Sequence, residues 1–188
     1  RGQNSTADFF LDGVRDDVQY YRSLYNVERV EVLKGPFALI FGRGGGGGII
    51  NRVQKAPIAD EHFFSSELTA NSFGAYELAA DANLPLGGGA AARLNADYAR
   101  INNHRDYVGG ERFAVNPYVS AKLNEDWKLG LSYEFLHDDR VADRGVPSLA
   151  GVPITGYDQQ FFGIPGLNRS QVDAHIAKLR IDGTPADT

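Results

Sequence analysis

The run Val27-Glu28-Arg29-Val30-Glu31-Val32-Leu33-Lys34-Gly35-Pro36-Phe37-Ala38-Leu39-Ile40-Phe41-Gly42-Arg43, then five glycines from Gly44 to Gly48, then Ile49-Ile50-Asn51-Arg52-Val53, decides the fold. Val27 to Leu33 is rich in β-branched residues and stops at Gly35-Pro36, which predicts a strand closed by a turn. Phe37 to Phe41 is one short apolar segment. The glycines admit positive φ and close backbone approach, so the chain can reverse there in a crowded space. Ile49 to Val53 is β-branched again and predicts a second strand.

Gly42-Arg43-Gly44-Gly45-Gly46-Gly47 also fits the G-x-G-x-x-G pattern. Dinucleotide binding needs a helix after such a loop, because the helix N-terminus holds the pyrophosphate. Five glycines followed by β-branched residues oppose a helix. A Walker loop would close on Gly-Lys-Ser/Thr, and this one does not. A soluble nucleotide-binding enzyme using Gly42 to Gly47 is therefore the competing reading. A helix starting at Gly48 to Ile50 would support it, and a strand there removes it.

Bulk properties narrow the classes. The 188 residues carry a net charge of -5, which argues against a general nucleic-acid binder with its basic stripe. Cysteine is absent, so neither disulfides nor thiolate metal sites are available. Methionine is absent and the chain starts at Arg1, so a piece of a longer protein is expected. Phe37 to Phe41 is the longest plain apolar run, far short of the roughly 18–20 residues of a membrane helix. A membrane barrel stays open, because its strands alternate and keep mean hydropathy low.

Downstream, alternation dominates. Tyr76, Leu78, Ala80, Ala82 and Leu84 fall on one face, with Glu77, Asp81 and Asn83 on the other. Phe113, Val115, Pro117, Val119 and Ala121 oppose Asn116, Ser120 and Lys122. Trp127, Leu129, Leu131, Tyr133 and Phe135 oppose Lys128, Gly130, Ser132 and Glu134. This is the period of two of a half-buried strand. Tight turns at residues 87–89 and 124–126 alternate with longer connections at 102–111 and 136–170, the asymmetry of a transmembrane barrel. A soluble β-sandwich binding module also alternates, but it would carry polar residues on both outer faces. Pro117 sits mid-strand without a ladder donor, which predicts a bulge or a loosely paired position.

Upstream, Phe9-Phe10-Leu11 before Asp12-Gly13 predicts a short strand entering a turn. Taken with the opening run, the segment from Phe9 to Lys55 closely resembles the second half of the plug domain of TonB-dependent outer-membrane receptors. Asp138-Asp139-Arg140-Val141-Ala142-Asp143-Arg144-Gly145-Val146-Pro147-Ser148, with Phe161-Phe162-Gly163, resembles the siderophore-receptor branch, especially catecholate receptors.

The resemblance implies a fold and a role. Residues 1–57 would be the C-terminal part of a plug domain, α+β with a small mixed sheet. Residues 58–188 would be the first six or so strands of an antiparallel transmembrane β-barrel of roughly 22, left incomplete. The function implied is TonB-dependent uptake of ferric siderophores across the bacterial outer membrane, with haem, cobalamin or a glycan as alternative cargo. No enzyme is implied, and no Ser-His-Asp or paired-carboxylate motif suggests one. No resident cofactor or metal is implied, since iron arrives already chelated. The partners implied are the ferric siderophore, outer-membrane lipid, and the TonB-ExbB-ExbD complex acting through a segment N-terminal to this chain.

In that family, apical plug loops and outer barrel loops line the ligand pocket. The apical loop here is residues 15–22, with Arg15, Gln19, Tyr20, Tyr21 and Arg22 as ligand-binding candidates. Arg140 and Arg144 in the long downstream loop join them. A ferric tris-catecholate is a large trianion with flat rings. Arginine answers with charge and planar donors, tyrosine with a face and a hydroxyl. Arg29, Lys34 and Arg43 are expected to pair with carboxylates on the inner barrel wall. His137-Asp138-Asp139 is a weak metal signal, one histidine beside two acids.

An isolated six-strand sheet has open edges and an apolar outer face. These 188 residues are therefore expected to aggregate without detergent. Size-exclusion chromatography showing a monodisperse, cooperatively unfolding species in plain buffer would count against this.

Overall fold

In a computed structural model of the chain, residues 9–16, 18, 20–41 and 48–183 are described. The chain divides into two compact units, Arg1–Ala56 and Pro57–Thr188.

The first unit holds β1 (Phe9–Leu11), β2 (Val14–Arg15), β3 (Val27–Leu33) and β4 (Ile49–Gln54) in one mixed sheet of order β2-β1-β4-β3. β1 runs parallel to β4, and the other pairs are antiparallel. Asp12 (φ 48°) and Gly13 (φ 83°) join β1 to β2. Two successive positive φ angles give the hairpin turn whose twist matches the strands, which is why Asp-Gly serves here. The short apolar segment winds into a 3-10 helix, Gly35–Phe41, with Pro36 near its start, where a missing N–H costs no bond. It is the helical element among the described residues, so the small mixed sheet is present without an α-helix beside it. The core is Phe10, Ala38 and Ile49, flanked by Leu33 and Phe41. The Phe10 and Phe41 rings meet edge to face at 5.1 Å.

β3 and β4 are antiparallel neighbours, Leu33 opposite Ile49, so the chain does reverse between them. Gly48 (φ 104°) enters β4, and a Cβ there would lie 2.8 Å from the Leu33 carbonyl oxygen. Only glycine fits such a position. Residues 42–47, including Arg43, lie outside the described residues. The strand at Ile49–Gln54 overturns the nucleotide-binding alternative, because no helix N-terminus follows the loop to hold a phosphate.

The second unit is an antiparallel meander of β5 (Phe63–Ala70), β6 (Tyr76–Gly87), β7 (Ala90–Asn102), β8 (Gly109–Lys122), β9 (Trp127–Val141) and β12 (Arg169–Gly183), with a small hairpin of β10 (Ser148–Leu149) and β11 (Val152–Pro153) between the last two. β5 and β12 are its edges, and the sheet does not close.

Its faces are inverted relative to a water-soluble protein. Arg93, Asn95, Asp97, Arg112, Asn116, Ser120, Ser132 and Glu134 are buried, while Leu94, Phe113, Val119, Leu131 and Leu179 are exposed. Asn116 is 0% exposed and Leu131 60%. A soluble sandwich requires the reverse, so that reading fails. The buried charges pair among themselves. Arg93 grips Asp81 with two bonds of 2.9 and 2.8 Å, and Arg112 reaches Asp97 at 2.7 Å and Glu77 at 2.8 Å. Such charge-assisted forks offset the cost of burying each ion.

One expectation changes and another is narrowed. The long connection is residues 142–168 rather than 136–170, because β9 continues to Val141 against β12. Ladder bonds are made by the backbone, so the polar stretch from His137 to Arg140 does not end the strand. No bulge forms at Pro117 either. From Val115 opposite Phe135 to Tyr118 opposite Ser132 is three steps on each strand, so the register is unbroken and only the two rungs between are unpaired. The loosely paired position is what forms. Asn116 Nδ2 donates to the Tyr133 carbonyl at 2.9 Å, replacing the N–H that proline lacks.

In the full-length protein in detergent, Asn116→Ala is expected to cost about 1–3 kcal/mol by orphaning that carbonyl. In a Pro117→Val background, which restores the ladder donor, the loss should shrink. Equal losses in both backgrounds, read from denaturation midpoints, would show that the asparagine does not stand in for the proline.

Candidate functional site

Among the described residues after β2, Asp16, Val18, Tyr20 and Arg22 of the first unit are organised around one carboxylate. Asp16 Oδ2 accepts from Arg52 Nη2 at 2.8 Å, Arg22 Nε at 3.0 Å and the Tyr20 hydroxyl at 3.1 Å. Arg52 Nη2 also donates to the Tyr20 oxygen at 3.1 Å. The Arg22 guanidinium donates onward to the Asp16, Val18 and Tyr20 carbonyls at 3.1, 2.6 and 3.4 Å. It stacks on Phe9 at 4.3 Å and on Tyr20 at 4.8 Å. Asp16 is anchored in turn by its N–H to the Phe9 carbonyl at 2.8 Å. The Arg22 and Arg52 side chains are 11% and 5% exposed, so these ion pairs are poorly screened by solvent. Burial pushes the Tyr20 phenol above its ordinary 10.0 despite the opposing pull of Arg52.

The structure thus separates the loop candidates. Tyr20 and Arg22 turn inward and hold the loop. Arg15 lies on β2 and is exposed, as is Tyr21 at 56%. Val18 and Leu24 are exposed beside them. Gln19 lies outside the described residues. Asp16 and Arg52 are the members that sequence reading did not single out. The available signal was a cation inside the β-branched run at 49–53, which needs a partner if its strand is covered on both faces.

A smaller network fixes β3 to β4. Glu31 accepts from Arg29 Nε at 2.8 Å and from Asn51 Nδ2 at 2.9 Å, and Asn51 Oδ1 accepts from the Gly13 N–H at 3.0 Å. The Asn51 bond, then the Arg29 bond and charge, hold the Glu31 carboxyl below its ordinary 4.5. Arg29 is therefore engaged within its own unit, and Lys34 is exposed.

In the second unit, Arg140 belongs to β9 and not to the loop, which corrects its expected position. It forks onto Asp138 two residues before it, with Nε at 2.6 Å. Arg144 lies in the loop and is exposed. That loop is tied to residues 103–108. Arg105 forms an ion pair with Asp143 at 2.8 Å, although its N–H is not aimed at the carboxylate, and donates Nη1 to the Gln160 carbonyl at 3.3 Å. The Asp106 N–H meets the Gln159 carbonyl at 2.8 Å. His137, Asp138 and Asp139 do not converge. His137 bonds Asp173 at 2.7 Å and Asp139 holds Arg169 on one face, while Asp138 holds Arg140 on the other, since neighbours on a strand point to opposite faces.

Residues 1–49 match the family model of the TonB-dependent receptor plug domain. The chain is 32% identical over 177 residues to the catecholate siderophore receptor Fiu of Escherichia coli, covering 93% of this chain and 23% of that protein. It is 36% identical over 195 residues to the probable TonB-dependent receptor BfrD of Bordetella pertussis, covering 96% of this chain and 25% of that protein. The chain thus spans about a quarter of the length of the curated relatives it matches. In fold it is similar to the crystal structure of the siderophore receptor PiuA from Acinetobacter baumannii, with a TM-score of 0.89 at 24% identity, over 97% of this chain and 27% of that one.

Removing the Asp16 carboxylate leaves two arginines uncompensated. Asp16→Ala in the full-length protein is expected to cost about 3–5 kcal/mol and to speed amide exchange across residues 14–26. Unchanged exchange there would show that the carboxylate does not hold the loop. Glu31 gives a pH dependence. Its folded pKa is depressed, so its contribution is present above pH 4.5 and is lost as pH falls through the lowered value. Glu31→Gln is expected to flatten the acid limb of a stability-against-pH curve, and an unaltered limb would remove Glu31 from it.

Proposed function

We propose that this chain, which belongs to the TonB-dependent receptor family, forms part of a ligand-gated receptor that carries ferric siderophores across the bacterial outer membrane. The observation that carries the reading is the inverted meander: long antiparallel strands with charges buried and leucine, valine and aromatic side chains exposed. In water such a face is an aggregation hazard. In lipid it is the required solution. One aligned relative is named a catecholate siderophore receptor, which supports the cargo class.

On this reading the first unit is the rear of a plug, and the second is the start of a barrel wall. The connections at 71–75, 103–108 and 142–168 belong to the outer side and the tight turns at 88–89 and 123–126 to the periplasmic side. Energy would come from the TonB-ExbB-ExbD complex. Arg15 and Tyr21 supply charge and an aromatic face to an anionic chelate, and Gln19 remains a candidate from the sequence. Tyr20 and Arg22 act by holding the loop in shape. Arg144, and Arg140 at the strand end, add positive charge on the outer side, and a basic funnel raises the capture rate of an anion.

The test is growth. An iron-starved receptor-deletion strain carrying the full-length gene is supplied with individual ferric chelates. Catecholates are expected to restore growth, and Arg15→Ala or Tyr21→Ala to weaken chelate binding about tenfold, the worth of one bond to a charged group. Failure with every siderophore refutes the reading, and rescue by haem, cobalamin or a glycan alone reassigns the cargo.

A further inference from the structure

We infer a second binding site, on the outward face of the sheet, for the phosphorylated headgroup of an outer-leaflet lipid. It rests on the membrane reading above. A cavity of about 510 Å3 opens where β7, β8, β9 and β12 approach the outer loops, and its lining includes Tyr98, Arg100, Tyr107, Glu111, Asp139 and Arg169.

Strand pairing decides which face this is. Arg100 stands opposite Glu111, Glu111 opposite Asp139, and Arg169 opposite Val141 beside them. One row below, Tyr98 stands opposite Phe113. Tyr98, Phe113, Leu94 and Leu131 are all exposed and share this parity, so the charges lie on the apolar face and not on the buried polar one. The charged row is two residues above the aromatic pair, a rise of about 6.6 Å along the strand. An aromatic girdle marks the edge of the hydrocarbon layer. Charges that close above it, facing outward, stand among lipid headgroups.

The charges are poised for a ligand. Arg169 is committed to Asp139 by a forked pair. Arg100 makes no side-chain hydrogen bond or ion pair among the described residues, and neither does Glu111, although their strand positions are adjacent. Arginine offers a planar fork to phosphate. Glu111 offers a place for the cation, ammonium or magnesium, that accompanies a lipid phosphate. Tyr107 overhangs the cavity, 70% exposed and held at φ 63°. Left-handed backbone at a bulky residue is a costly conformation that clusters at ligand clamps.

The experiment uses the full-length receptor in phosphatidylcholine nanodiscs with magnesium and lipid A, and measures retained lipid A by native mass spectrometry. Arg100→Ala is expected to lower retention about tenfold, and Glu111→Gln to lower it less. Arg100 makes no side-chain hydrogen bond or ion pair among the described residues, so the variant is expected to fold. Arg180→Ala, a cation on the other face, serves as control. Retention unchanged in Arg100→Ala, or lowered equally by Arg180→Ala, overturns the site. So does full displacement by inorganic phosphate at equal concentration, which would make it a site for free anions. Outer-membrane fractionation and chelate uptake are read on the same cells. Loss of both refutes the membrane reading and this inference together. Intact uptake with unaltered lipid retention refutes the inference alone.

Discussion

A strand has only two faces, and along the middle of this sheet the one that carries carboxylates, guanidiniums and amides is turned away from solvent. Everything in the second unit follows from that constraint. Buried charges must find one another, and they do so across strands: Arg93 with Asp81, and Arg112 with Asp97, Arg112 reaching also to the half-exposed Glu77. Each of these pairs links neighbouring strands or strands one apart, so the polar face fixes the register that the backbone ladder then propagates. The opposite face is mostly apolar along the middle of the strands, and polar pairs such as His137 with Asp173 and Arg169 with Asp139 lie near the strand ends. It needs only an apolar medium, which is why exposed leucines and aromatics are consistent with a stable protein when the medium is lipid.

The first unit solves a different problem. Its sheet is small and its core is a handful of residues around Phe10, Ala38 and Ile49. A core of that size holds little loop structure by apolar contact alone. The loop before β3 is therefore organised by polar bonds to Asp16, which ties β4 through Arg52 to the loop through Arg22 and Tyr20. The result is a surface whose exposed members, Arg15 and Tyr21, are displayed by buried ones. Display and support are thus divided among residues of the same chemical types.

This division explains what could be read from the sequence. Local pattern was enough for β3, whose β-branched run and Gly35-Pro36 stop give its bounds, for the Asp12-Gly13 turn, and for the two-residue alternation of β6, β8 and β9. Local pattern was not enough where partners are distant. Asp16 and Arg52 are 36 residues apart, and nothing in either segment names the other. The parallel pairing of β1 with β4 is invisible for the same reason. The end of β9 is not legible in the pattern because hydrophobic alternation fades after Leu136, whereas backbone pairing continues to Val141. The outward charged row lies in that stretch, and only the pairing register tells on which side of the sheet it falls.

The gap at Asn116 and Pro117 has a mechanical consequence. Two successive rungs are missing between β8 and β9, halfway along a seam that is otherwise continuous, and one side-chain bond spans them. Under shear, a ladder parts where its rungs are fewest. The sheet is consequently expected to be most compliant along this seam, and a deformation imposed on it to concentrate there, because the flanking seams, β7 with β8 and β9 with β12, keep continuous ladders.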